Sequence, residues 1–223
     1  MDEREYQYWT QQVKQVVPIK EGAFEDYNNW HNRALLGRLL ANMNIYEPAL
    51  ELMESILEEA KAEDEEHYIW ALSDMANYHW VSKEETEIAY NLIDQAIESM
   101  NHIQKTTFPL INKGFLFNQK WQIRALTGES ISLIEEIENI IHHQLEEKEN
   151  QSQSLLFYAY FNLALFSYEK DNLERAIALL TEAYQYSNVS EEDVRKILDD
   201  NITVQEKVVQ LLSLTHRSMV FDS

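Results

Sequence analysis

The chain has 223 residues, with 39 acidic side chains against 18 basic ones and a formal net charge of -21. A field of that sign repels phosphate backbones and anionic lipid, which excludes nucleic acid and membrane surfaces as expected partners. Four Gly and three Pro leave little turn chemistry for hairpins, and the absence of Cys excludes a disulfide framework, a thiol nucleophile and a cysteine metal site.

The N-terminal stretch MDEREYQYW lacks the basic-then-apolar layout of a signal peptide, and no run approaches the ~20 apolar residues of a membrane span. A single cytoplasmic domain over residues 1–223 is the expectation. Residues 1–22 read as an N-terminal cap helix, with Tyr6, Trp9, Val13 and Val16 or Val17 at helical spacing before Pro18, and Gly22 in the break that follows. Residues 23–189 then read as four helix pairs. The first carries Trp30, Leu36, Gly37 and Leu40 on one stripe over about 23–43. Asn44 and Pro48 stop the chain and restart it, and Ala49 and Met53 open the second helix. Trp70, Ala76 and Trp80, then Ala89, Ile93 and Ala96, repeat the scheme with Asn77 in the small-residue position. In the third pair Pro109 opens a helix with Phe117, Asn118 and Trp121, Gly128 occupies the turn, and Ser130, Ile134 and Ile137 follow. In the fourth, Tyr160, Leu163 and Ala164 precede a break at Asp171 and Asn172, after which Ala176, Leu180 and Ala183 recur at helical spacing.

Gly37 to Ala49, Asn118 to Ser130 and Ala164 to Ala176 are each twelve residues, and equivalent positions of successive pairs are offset by 40, 41 and 46 residues. Residues 190–217 read as C-terminal cap helices. Ser190 stands before Glu191, Glu192 and Asp193 as an N-cap, and Val194, Ile197, Leu198, Val208, Leu211 and Leu212 form an apolar stripe. Residues 218–223 read as a frayed tail.

Small residues where helices cross and large ones between them are the mechanical content of the tetratricopeptide (TPR) pattern. Tyr160-x2-Leu163-Ala164 followed by Ala176-x3-Leu180-x2-Ala183 resembles that consensus, with Ser167 where the family prefers Tyr and Asn188 where it prefers Pro. The resemblance covers about residues 30–188. The long spacing, against about 34 residues in the standard repeat, resembles the extended repeats of bacterial Rap-type peptide-sensing regulators. Neither their N-terminal bundle nor the DNA-binding helix-turn-helix of some relatives is recognisable.

The resemblance implies an all-α superhelix of four pairs whose first helices line a concave face. It implies a non-catalytic protein-binding or peptide-binding regulator or scaffold. Projecting the register outward places Arg38 and Asn42, Asp74 and Tyr78, then Asn112, Phe115 and Gln119, then Tyr158, Phe161 and Tyr168 on that face. Amides there would pair with an extended backbone, and aromatic rings would supply apolar pockets. Arg38 supplies a scarce positive charge, and the basic clamp that holds a C-terminal carboxylate in chaperone-binding relatives is not reproduced. An allosteric sensor of a signalling peptide is the alternative, and an enzyme of unrecognised type the remote one.

Catalytic chemistry has little footing. Glu138, His142 and Glu146 share a helix face, yet the spacing matches no zinc-enzyme signature and an exposed polar face accounts for it. His31 beside Trp30 and His79 beside Trp80 have no orienting partner nearby in sequence. No Gly-rich phosphate loop and no Gly-x-Ser-x-Gly element is present. No enzyme activity, cofactor or metal is expected.

Overall fold

Asp2, Asn29, Asn112, Ser152, Asn172, Ser190 and Thr203 each precede a helix, and each side chain accepts a backbone N–H of the first turn. Each cap satisfies one of the four donors that a helix start leaves open. The computed structural model describes residues 1–20, 24–83, 85–103, 112–126, 128, 130–147 and 150–217. Among them the regular structure is eleven α-helices and a short 3-10 turn, with no strand, so the fold is all-α. The helices gather into two units, residues 1–107 and 108–223, and the expected pairs fall two in each.

The first unit holds α1 (Glu3–Val16), α2 (Trp30–Asn42), α3 (Tyr46–Glu63), α4 (Glu65–Lys83) and α5 (Thr86–Met100). The crossing of α2 and α3 is built on Gly37, where a Cβ would lie 3.3 Å from the Ala49 carbonyl oxygen and 3.3 Å from Met53 Sδ. Leu36, Leu40, Leu52, Met53 and Ile56 fill the seam. On α1, Tyr6 and Val13 are buried, while the buried Trp9 Nε1 has no hydrogen-bond partner among the described residues.

The helix expected over 23–43 begins only at Trp30. Asp26 accepts the Asn28 N–H at 2.9 Å, the Asn32 amide donates to the Asp26 carbonyl at 3.1 Å, and Phe24 adopts φ 65. This local turn chemistry outweighs the apolar spacing that continues upstream of Asn29. Asn44 (φ 61) and Asp171 (φ 57) take the left-handed conformation at the two helix ends where the sequence places breaks. The expected break at Gly22 lies outside the described residues, as do the helix start at Pro109 and the tail over 218–223.

The second unit holds α6 (Lys113–Ala125), α7 (Ser130–Glu146), α8 (Gln153–Glu169), α9 (Leu173–Tyr184), α10 (Glu191–Asp199) and α11 (Val204–Ser213). The apolar α8 is its axis. One side meets α9 through Phe157, Ala164, Ala176, Leu180 and Ala183. Its other side meets α6 and α7 through Trp121, Leu133, Ile137, Leu156, Ala159 and Leu163. At Gly114 an added Cβ would fall 2.2 Å from the Ser154 carbonyl carbon, and the Gly114 N–H donates to Ser154 Oγ at 3.1 Å. This close crossing draws α6 onto α8 rather than onto α7. Val208 and Leu211 of α11 are buried against α9, and the Tyr184 hydroxyl donates to the Leu211 carbonyl. A capping box between Thr203 and Glu206 fixes the start of α11.

Candidate functional site

In α2 the residues Arg33, Leu36, Gly37 and Leu40 are buried on one side. At four-residue and three-residue spacing on the opposite side stand His31, Leu35, Arg38 and Asn42. The adjoining face of α4 carries His67, Trp70, Asp74 and Tyr78. Arg38 ties the two rows together: its Nε lies 2.6 Å from Asp74 Oδ2, and its guanidinium carbon lies 3.2 Å from the centroid of the Trp70 ring. Next along the row, the Trp30 and His31 rings stack at 3.7 Å. The His67 ring meets them edge-on at 5.2 and 5.3 Å. Leu35 remains 47% exposed beside these rings. Asn42 is exposed, whereas Tyr78 is buried with its ring 6.2 Å from that of Tyr46.

Three electrostatic effects act here. Burial pushes the Asp74 carboxyl upward while the charge and hydrogen bond of Arg38 pull it down, and the upward effect prevails. Burial also raises the Tyr78 phenol, with the Asp74 charge adding to it. At Asp64 burial works upward, but the hydrogen bonds from His67 Nδ1, at 2.8 Å, and from the Glu66 N–H hold the carboxyl below its ordinary range. Of the four residues projected onto this part of the face, Asn42 is exposed and Arg38 and Asp74 are half-buried, whereas Tyr78 packs into the core, which corrects the expectation that its ring faces a ligand. The scarce positive charge of Arg38 is matched internally by Asp74. Sequence reasoning missed Leu35, His67 and Trp70. Trp70 lies one helical turn before Asp74, and extending the projected row by that turn finds it.

The six residues projected in the second unit divide differently. Asn112 is buried as the N-cap of α6, accepting the Phe115 N–H at 2.8 Å, and Gln119 is buried on α6. The expectation of two exposed groove amides is corrected by the cap and by the packing of α6. Phe115, Tyr158, Phe161 and Tyr168 are half-buried. Phe161 stacks on Phe157 at 5.9 Å, and burial raises the Tyr158 phenol. Asn162 is an amide the sequence reading overlooked. It is 2% exposed, and its Nδ2 donates to Asn118 Oδ1 and to the Tyr158 carbonyl, each at 2.8 Å. A lone amide inside the apolar run FYAYFNLALF is the signal that would have found it, since a buried amide needs partners.

The Glu138, His142 and Glu146 constellation is divided. His142 pairs with Glu146 at 3.2 Å on an exposed face, and Glu138 reaches Arg175 of α9 at 3.0 Å. Among the described residues no group of three such side chains could hold a metal ion. His79 does have a carboxylate partner, correcting the expectation: its Nδ1 lies 2.6 Å from Glu85 Oε2. No described helix is long and apolar enough to cross a membrane. The chain is thus an all-α protein, and neither a protein-family model nor a curated protein matches it.

Proposed function

We propose that this chain is a non-catalytic protein-binding or peptide-binding regulator of TPR-like build. Its helix pairs would form a superhelix, and its ligand would lie along the concave side of the first helices. The observation that carries the reading is the face shared by α2 and α4. Half-buried Trp70 under Arg38, exposed His31 backed by the buried Trp30 ring, and exposed Leu35 and Asn42 offer apolar surface beside polar groups. Rigid rings in that setting bind an extended chain at small entropy cost. The acid excess favours protein over nucleic acid as partner, and the composition suits the cytoplasm. A second reading, an allosteric sensor of a signalling peptide that controls another protein, is supported by repeat length. Equivalent positions of successive pairs are offset by 40, 41 and 46 residues, longer than the standard repeat of about 34.

The test places a photo-crosslinking residue at Leu35 and, as control, at exposed Glu54 on α3. Irradiation in cell extract followed by mass spectrometry should give a discrete adduct at Leu35 that Trp70→Ala abolishes. The same adducts from both positions would remove the face as a binding site.

A further inference from the structure

Among the described residues Ser132, Glu135, Asn139 and His143 leave one side of α7 exposed, and between it, α6 and Leu155 of α8 lies a groove of about 640 Å³. That volume is within the ~300–1,000 Å³ of ligand sites. Its α7 wall is a stripe at three-residue and four-residue spacing from Ser132 to Glu147. We propose that this groove docks a basic, amphipathic peptide segment of a partner protein, at a surface separate from the α2 and α4 face.

Charge and polarity both point to that occupant. Phe117, Ile140 and Leu155 provide apolar lining, and Glu135, Glu136 and Glu147 provide carboxylates. Glu136 is held by Arg124 and by Trp121 Nε1, and Glu147 faces His143 at 3.5 Å. Glu135 is exposed and makes no ion pair among the described residues. Lys113 is the opposing cation in the lining, so the groove keeps an acidic excess. Apolar lining with carboxylates beside it matches a segment that alternates apolar and basic side chains. The net charge of -21 steers such a segment in and repels a second copy of this chain.

The probe is a fluorescein-labelled octapeptide of alternating lysine and leucine, followed by anisotropy. Its counterpart of alternating glutamate and leucine should not bind. Glu135→Arg, and Asn139→Trp to fill the groove, should each weaken binding by about tenfold or more. Glu87→Arg changes the same charge at an exposed position of α5 and should stay within about twofold. Glu135 is exposed, so its replacement decides the matter even if Asn139→Trp misfolds, which circular dichroism reports. The proposal is overturned by no binding of the lysine and leucine peptide, by equal weakening in Glu87→Arg, or by full affinity in Glu135→Arg. Spermine that displaces the peptide at matched charge concentration would also overturn it, since the groove would then read charge alone.

Discussion

The amide of Asn112 accepts the Phe115 N–H and is buried, whereas that of Asn42 faces solvent. Asn112→Ala is expected to cost about 1 kcal/mol as a lost N-cap, and Asn42→Ala no more than about 0.5 kcal/mol. Urea unfolding of both variants measures the contrast, and equal costs would deny Asn112 its capping role. Two glycines make a second contrast. At Gly114 an added Cβ meets the Ser154 backbone at 2.2 Å, which cannot give way without separating α6 from α8. Gly114→Ala should cost at least the roughly 1–3 kcal/mol of an overpacked core. At Gly37 the contacts are 3.3 Å, one of them to the flexible Met53. The gain of about 1 kcal/mol in helix propensity then offsets the crowding, and Gly37→Ala should melt close to the parent. Gly37 was legible because its twelve-residue spacing to Ala49 repeats along the chain. Gly114 was not, because it lies in the first turn of its helix, outside that register.

At the scale of the helix, Asp64 accepts the Glu66 N–H at the start of α4, and its folded pKa lies below the ordinary carboxylate value. The unfolded chain therefore binds more protons over the interval between the two values, so this contribution is complete above the unfolded pKa and lost as pH falls through the folded one. Asp74 has the opposite sign, because its folded pKa is raised and its ionised form is the less favoured one. Melting curves between about pH 3 and 6 should show a smaller acid loss for Asp64→Asn than for the parent. An unchanged acid slope would show that the Asp64 carboxylate contributes nothing. The helix pairs were legible where apolar period and small crossing residues coincide, as at Gly37 with Ala49 and Ala164 with Ala176. The start of α2 was not, because apolar Phe24 and Tyr27 prolong the helical spacing into a stretch that the Asp26 side chain turns. Nor was the divergence of α6 from α7. Asn118 occupies the position that Gly37 and Ala164 hold in the first and fourth pairs, and its amide oxygen accepts the Asn162 amide of α8.

Across the whole molecule the all-α class followed from scarce Gly and Pro and a helical period in every segment. Binding surfaces were less legible, because a ring that packs fully inward, such as Phe157, and one left half-buried, such as Phe161, sit at helical spacing on the same helix. Which way a ring faces depends on whether a neighbouring helix arrives. Charge is the property of the molecule that sequence states without ambiguity. At -21 the folded chain repels itself, and screening shortens the range of that repulsion. Calorimetric scans should show Tm rising as sodium chloride increases from about 10 to about 300 mM, and a flat response would mean that ion pairs such as Arg38 with Asp74 cancel the field locally.

The packing of α1 bears on the timescale at which parts of this protein open. Tyr6 and Val13 anchor it, while Trp9 buries an indole nitrogen with no acceptor among the described residues. A buried donor left unsatisfied costs about 1–3 kcal/mol, a penalty relieved when the helix detaches and water reaches the indole. Excursions of α1 into solvent then require less free energy than those of α3, whose apolar residues lie in the seam. In deuterium the amides of α1 should exchange orders of magnitude faster than those of α3, making the first helix the region where a protease gains its first hold.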